Sequence, residues 1–129
     1  MCDLREERKG DVLIIENEPS VADALKIILE DSGYHVSIAL NGRAGIDSAR
    51  RGEFCLTITD LSLTDMTGFD VINAISRNKP QTRFIVITSL DSPDLVDQAR
   101  SCGAAAVLVK PFLPSDILQL IGTTLGDPQ

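Results

Sequence analysis

Apolar residues recur along this chain in short unbroken runs, and between the runs they return at helical spacing. The runs predict strands over residues 12–15, 36–40, 55–59, 84–88 and 106–109. Three of these are almost continuously apolar, as strands covered by helices on both faces must be. From 20 to 31, Val21, Leu25, Ile28 and Leu29 share one helical face and Gly33 follows as a stop signal. Further helices are predicted over 42–51 before Gly52, 69–77 before Pro80 and 93–102 before Gly103. A last one starts at Pro114 or Ser115, turns Ile117, Leu118, Ile121 and Leu125 inward, and ends at Gly126, Asp127 and Pro128.

Five strand-helix units without an internal repeat, linker or low-complexity stretch predict an α/β fold with one open, doubly wound parallel sheet. Right-handed crossovers favour the flavodoxin-like order 2-1-3-4-5. The 129 residues suffice for one domain spanning 1–129, with a core of about 11–125 and flexible termini at 1–10 and 126–129.

Composition narrows the function classes. A balance of 43% apolar to 24% charged residues is that of a folding chain. The net charge of −7 speaks against direct nucleic-acid binding, which depends on clustered cations. No apolar run reaches the ~20 residues that span a bilayer, and the start MCDLREERKGD lacks the apolar core of a signal peptide, so a cytoplasmic protein without membrane contact is expected. Cys2, Cys55 and Cys102 are odd in number and lack C-x-x-C spacing; Cys55 and Cys102 are read as buried structural thiols, Cys2 as part of a loose terminus.

In a doubly wound sheet, function sits at the carboxyl ends of the strands. The polar residues there are Glu16, Asn17 and Glu18 after the first strand, Asp60 after the third, Thr88 closing the fourth and Lys110 after the fifth. A cluster of acidic oxygens beside one ammonium suits a hard cation such as Mg²⁺. Asp60 is then a candidate nucleophile that forms an acyl phosphate, with the metal and Lys110 offsetting charge on the transferred group and Thr88 donating to it. Each residue also has a plainer reading. Asp60 can be a loop carboxylate, Lys110 a solvated lysine, and Thr88 a β-branched strand residue. Glu18 serves the start of the first helix as readily as a site. His35, the only histidine, has no Cys or His partner nearby in sequence and reads as structural.

From about Asp11 to Phe112, the stretches VLIIENEPSVADAL, TITDLSLTDMTGFDVI, VITS and GAAAVLVKPF, in this order, resemble the response regulator receiver family. The resemblance implies that Asp60 is phosphorylated, that Lys110 contacts the phosphoryl group and that Thr88 is the switch hydroxyl. It implies a metal set of Glu16, Asn17, Asp60 and the backbone carbonyl of Ser62, a cis peptide between Lys110 and Pro111, and Gly68 at the bend before the third helix. The partners it implies are a sensor histidine kinase or phosphotransfer protein and a downstream effector or output domain; a homodimer is left open.

The match departs at four positions. The family's Asp-Asp pair is Glu16-Asn17 here, which removes a charge and lengthens an arm, so weak Mg²⁺ binding and slow phosphorylation are expected. Val107 stands where the family has a rotating aromatic, and Thr64 stands for the usual Pro, a minor change that loosens the loop after Asp60. The leading expectation is a phosphate-driven switch of the surface made by the fourth helix, fifth strand and fifth helix, not an enzyme beyond its own phosphorylation and dephosphorylation. The alternative is a phosphorylation-independent interaction module on the same fold. A flavin carrier is disfavoured by the first loop, ENEP, and by one Tyr and no Trp.

Overall fold

The computed structural model describes residues 10–90 and 92–126. The strands are β1 (Asp11–Ile15), β2 (His35–Ala39), β3 (Leu56–Asp60), β4 (Arg83–Thr88) and β5 (Ala106–Val109). Between and after them run α1 (Pro19–Asp31), α2 (Gly42–Arg51), α3 (Gly68–Asn78), α4 (Pro93–Cys102) and α5 (Pro114–Leu125). All strand pairs are parallel and the order is β2-β1-β3-β4-β5, as the crossover rule predicts.

Alternation along β1 divides the core. Val12 and Ile14 face α1 and α5, packing with Leu25, Leu29, Ile117 and Ile121. Leu13 and Ile15 face the other way, into a cluster with Ile46 of α2, Val71 and Ile72 of α3, and Leu95 of α4. Burying each such side chain is worth about 1.5–3 kcal/mol, which makes the two faces the main source of stability. Gly33 and Gly103, at φ 102° and 107°, turn the chain out of α1 and α4 in a backbone conformation that side chains resist.

The predicted helices are all present, and several boundaries move by one residue. β2 begins at His35, whose N–H donates to Gly10 O at 2.9 Å, and Leu40 drops out of it, 46% exposed. β3 runs from Leu56 to Asp60, because Asp60 still pairs with Ile87. α1 starts at Pro19, and α3 extends from Gly68 to Asn78. Cys55 and Cys102 are only partly buried, a correction to the expectation of buried thiols. The Cys55 thiol donates to Asp11 O at 3.3 Å. Cys2, Asp127, Pro128 and most of both predicted flexible termini lie outside the described residues.

One polar group is misplaced for stability. Thr57 in β3 is fully buried between its register neighbours Leu13 and Phe84, and its hydroxyl has no partner among the described residues. An unsatisfied buried hydroxyl costs about 1–3 kcal/mol. The near-isosteric Thr57→Val is therefore expected to stabilise the domain by about 1 kcal/mol in denaturant unfolding; a loss of stability contradicts this.

Candidate functional site

Three strand ends deliver one cluster. Glu16 immediately follows β1 and is fully buried, held there by its N–H donating to Ala39 O at 3.0 Å. Asp60 ends β3 and is 6% exposed. Lys110 follows β5, anchored by its N–H to Thr88 O at 2.7 Å and followed by a cis peptide to Pro111. Its ammonium donates to Asp60 Oδ2 at 2.8 Å and to Glu16 Oε1 at 3.0 Å, and Glu18 Oε1 stands 3.9 Å away. The other oxygens are also engaged: Glu16 Oε2 accepts from Glu18 N–H and Asp60 Oδ1 from Ser62 N–H, both at 3.0 Å.

The charges are unbalanced. One ammonium faces two buried carboxylates, a net negative charge where water is scarce. Burial pushes the Glu16 carboxyl above its ordinary value, against the N–H of Glu18 and the Lys110 ammonium, which both lower it. For Lys110, burial works against the charge, but the bonds it donates to Asp60 and Glu16 outweigh that and hold the amine above its ordinary value.

The loop leaving Asp60 is tied back on itself. Leu61 N–H continues the ladder to Ile87 O at 2.8 Å, Gly68 N–H returns to Leu61 O at 2.7 Å, and Ser62 bridges Thr67. Thr67 and Asp70 then form a capping box that starts α3. Asp65, at the loop tip, accepts from Gly42 N–H at 2.8 Å and Arg43 N–H at 2.9 Å, so the loop grips the first turn of α2. These bonds, Arg43 first, hold the Asp65 carboxyl below its ordinary value. The loosening expected from Thr64 is thus opposed by ties elsewhere in the loop.

The remaining predicted residues are placed as follows. Thr88 closes β4, buried, and its hydroxyl accepts from Leu90 N–H at 3.0 Å. Asn17 is half-buried next to Glu16, and Ser62 is exposed. Glu18 caps α1 only by position, without a side-chain cap bond. His35 is exposed, its Nδ1 3.4 Å from Asp11. Val107 packs partly buried against the α2–α3–α4 cluster.

For a divalent ion, the donor types suit and the charge count is low. Among the described residues no group of three or more His, Cys, Asp or Glu is gathered to hold a metal. Glu16 and Asp60 supply two charged oxygen donors, with Asn17 and the Ser62 carbonyl as neutral ones, all of the hard kind that Mg²⁺ prefers. The uncompensated negative charge around Lys110 is what a cation would offset.

A cavity of about 790 Å³ opens at the other end of the sheet, lined in part by Asp11, Glu53, Cys55, Lys79 and Arg83. Its cations are committed, Lys79 to Glu53 and the Gly52 carbonyl, Arg83 to the Thr124 carbonyl. It gathers no reacting set. Sequence reading missed the grip of Asp65 on α2, since partners 22 and 23 positions apart leave no local pattern.

Among the described residues no helix is long and apolar enough to cross a membrane. The model of the response regulator receiver domain family matches residues 12–122. The chain is 36% identical over 118 residues to the uncharacterised transcriptional regulatory protein YkoG of Bacillus subtilis, covering 91% of this chain and 51% of that one. It is 29% identical over 111 residues to the chemotaxis protein CheY of Thermotoga maritima, covering 85% and 92%. A CheY-like receiver domain protein from Methanospirillum hungatei has the same fold, with a TM-score of 0.85 at 29% identity, over 91% of this chain and 94% of that one. The chain spans a quarter to about half of the length of the transcriptional regulatory proteins it matches. Matched along most of its length and sharing the fold of a solved receiver domain, this chain belongs to the response regulator receiver domain family of two-component signalling.

Proposed function

We propose that Asp60 accepts a phosphoryl group and that Lys110, Thr88, Glu16, Asn17 and Ser62 serve the step. The observation that carries this reading is the Lys110 ammonium 2.8 Å from Asp60 Oδ2, on a carboxylate at the open end of the sheet. A carboxylate oxygen of Asp60 forms a bond to phosphorus while the phosphorus–nitrogen bond of a phosphohistidine donor breaks, the electron pair leaving with the imidazole. Lys110 balances charge on the transferred group, and Thr88, whose hydroxyl accepts from Leu90, keeps its own hydrogen for a phosphoryl oxygen. Mg²⁺ held by Glu16, Asn17, Asp60 and the Ser62 carbonyl supplies further positive charge when bound, weakly because Asn17 is neutral.

The donor in this reading is a sensor histidine kinase or a phosphotransfer protein in the cytoplasm. Drawing Thr88 toward the phosphate pulls on the Leu90 N–H at the start of the β4–α4 connection, and so biases the α4–β5–α5 face that an effector or output domain reads. Without an aromatic ring at Val107, this coupling runs through Thr88 and the backbone.

Incubation with acetyl phosphate and Mg²⁺, read by intact mass, tests the reading. One phosphoryl adduct is expected on the wild type, and none on Asp60→Asn. No adduct on the wild type, or one that survives Asp60→Asn, overturns it and leaves a phosphate-independent interaction module.

A further inference from the structure

We propose that Asp65 is a positioning residue for Asp60: by gripping the first turn of α2, it holds the loop that aims the acceptor carboxylate. The proposal rests on the reading of Asp60 as acceptor. Asp65 uses both carboxylate oxygens on α2, one on Gly42 N–H and one on Arg43 N–H. This is not needed to start the helix, because Asn41 already caps it locally, accepting from Ala44 N–H at 2.8 Å. What Asp65 adds is a tie between segments 22 and 23 positions apart.

A second observation places the same loop on the same turn. A Cβ on Gly42 would lie 2.4 Å from Met66 Cγ, so the helix start and the residue after Asp65 are in contact, closer than a side chain at position 42 would allow without moving Met66. The loop between Asp60 and Gly68 is therefore fixed at its tip as well as its base, where Ser62 bridges Thr67. Near its start, the N–H of Ser62 donates to Asp60 Oδ1. Moving the tip moves Ser62, and moving Ser62 releases one of the two bonds that set the carboxylate's rotamer; the other comes from Lys110.

This also accounts for Thr64. Proline restricts a loop through its own backbone, which narrows the conformations available to it. Here the residue beside Asp65 is Thr, and the restriction comes through the cross-link to α2 instead. A misplacement of about 1 Å can cost about a hundred-fold in rate, and a loop that is loosened but still based at Ser62–Thr67 should cost less, about ten-fold.

The test compares the wild type, Asp65→Ala, and Asp65→Ala combined with Thr64→Pro. Two readouts are taken: the rate of adduct formation with acetyl phosphate, and hydrogen exchange at the Ser62 amide, which needs no phosphorylation. Asp65→Ala is expected to slow the adduct about ten-fold and to speed Ser62 exchange, and the added proline to recover most of both. Unchanged Ser62 exchange in Asp65→Ala overturns the proposal, whatever the rate does. So does a slowed rate that proline does not restore, since that is the mark of general destabilisation. An unphosphorylated wild type instead refutes Asp60 as acceptor, and Ser62 exchange still judges the grip on α2.

Discussion

Lys110→Met will destabilise the domain by about 3 kcal/mol at neutral pH, although the methionine keeps the apolar stem of the lysine. The ammonium is shared between a fully buried Glu16 and an Asp60 whose side chain is 9% exposed, and the lysine side chain itself is only 19% exposed. Removing it leaves two buried carboxylates facing each other without a counter-charge, the situation in which breaking a buried pair costs most. Surface ion pairs such as Arg50–Asp47, 3.9 Å apart and half in solvent, are worth at most about 1 kcal/mol by comparison.

The loss should depend on pH, with a definite sign. Glu16 has a raised pKa in the folded protein, so its contribution to stability is complete below its ordinary value and declines as pH rises through the raised one. The Lys110 bonds lower that pKa, so without them it rises further and the decline deepens. Lys110 itself, raised above its ordinary value, gives its own contribution throughout the neutral range and loses it only on the alkaline side. Denaturant unfolding at about pH 5 and about pH 8 should therefore show a smaller deficit for Lys110→Met at the lower pH. Glu16→Gln in the Lys110→Met background should recover part of the loss at the higher pH, because it removes one of the two facing charges. A deficit under about 1 kcal/mol, or one that grows on acidification, would contradict this view of the cluster.

The strand order, the helices and the convergence of Glu16, Asp60 and Lys110 were legible because they follow from periodicity and from one rule of connection. Val12 to Ile15 can only be a two-sided strand, and a parallel sheet of such strands delivers its polar ends to one edge. Boundaries were less legible where a residue is apolar yet unpaired. Leu40 reads as strand from its side chain, but its neighbour Glu16 takes the ladder bond to Ala39 and the chain turns away, leaving Leu40 exposed. The burial of Cys55 and Cys102 was overread for the same reason, since an apolar neighbourhood in sequence does not say how near a strand or helix end lies to solvent. Thr88 was placed correctly by position, while the Leu90 N–H that engages its hydroxyl belongs to a loop with no periodicity to read. Asp65 was invisible because its partner helix lies earlier in the chain, across the sheet's connections.

Gly68→Ala is expected to cost about 2–3 kcal/mol, despite replacing the poorest ordinary helix former with the best at the first position of α3. The family resemblance places Gly68 at the bend before the third helix, and the structure shows what glycine does there. Gly68 is not among the glycines with positive φ, so its backbone conformation is open to any residue. What excludes a side chain is space: a Cβ there would lie 2.7 Å from the Asp60 carbonyl oxygen and 3.1 Å from Leu61 Cα. Both are backbone atoms, which cannot rotate aside as a flexible side chain can, so either the Gly68–Leu61 bond of 2.7 Å lengthens or the end of β3 shifts. Alanine's helix advantage is at most about 1 kcal/mol, smaller than an overpacking penalty taken up by backbone. The shift falls on Asp60 itself, so the variant should lose reactivity toward acetyl phosphate even at temperatures where it stays folded. Gly103 supplies the contrast: a Cβ there meets nothing within 4 Å, and its φ of 107° is the sole obstacle, so Gly103→Ala should cost about 1–2 kcal/mol and leave reactivity toward acetyl phosphate unchanged. Equal stability losses with equal losses of reactivity in the two variants would show that crowding at the Asp60 carbonyl is not what glycine at position 68 prevents.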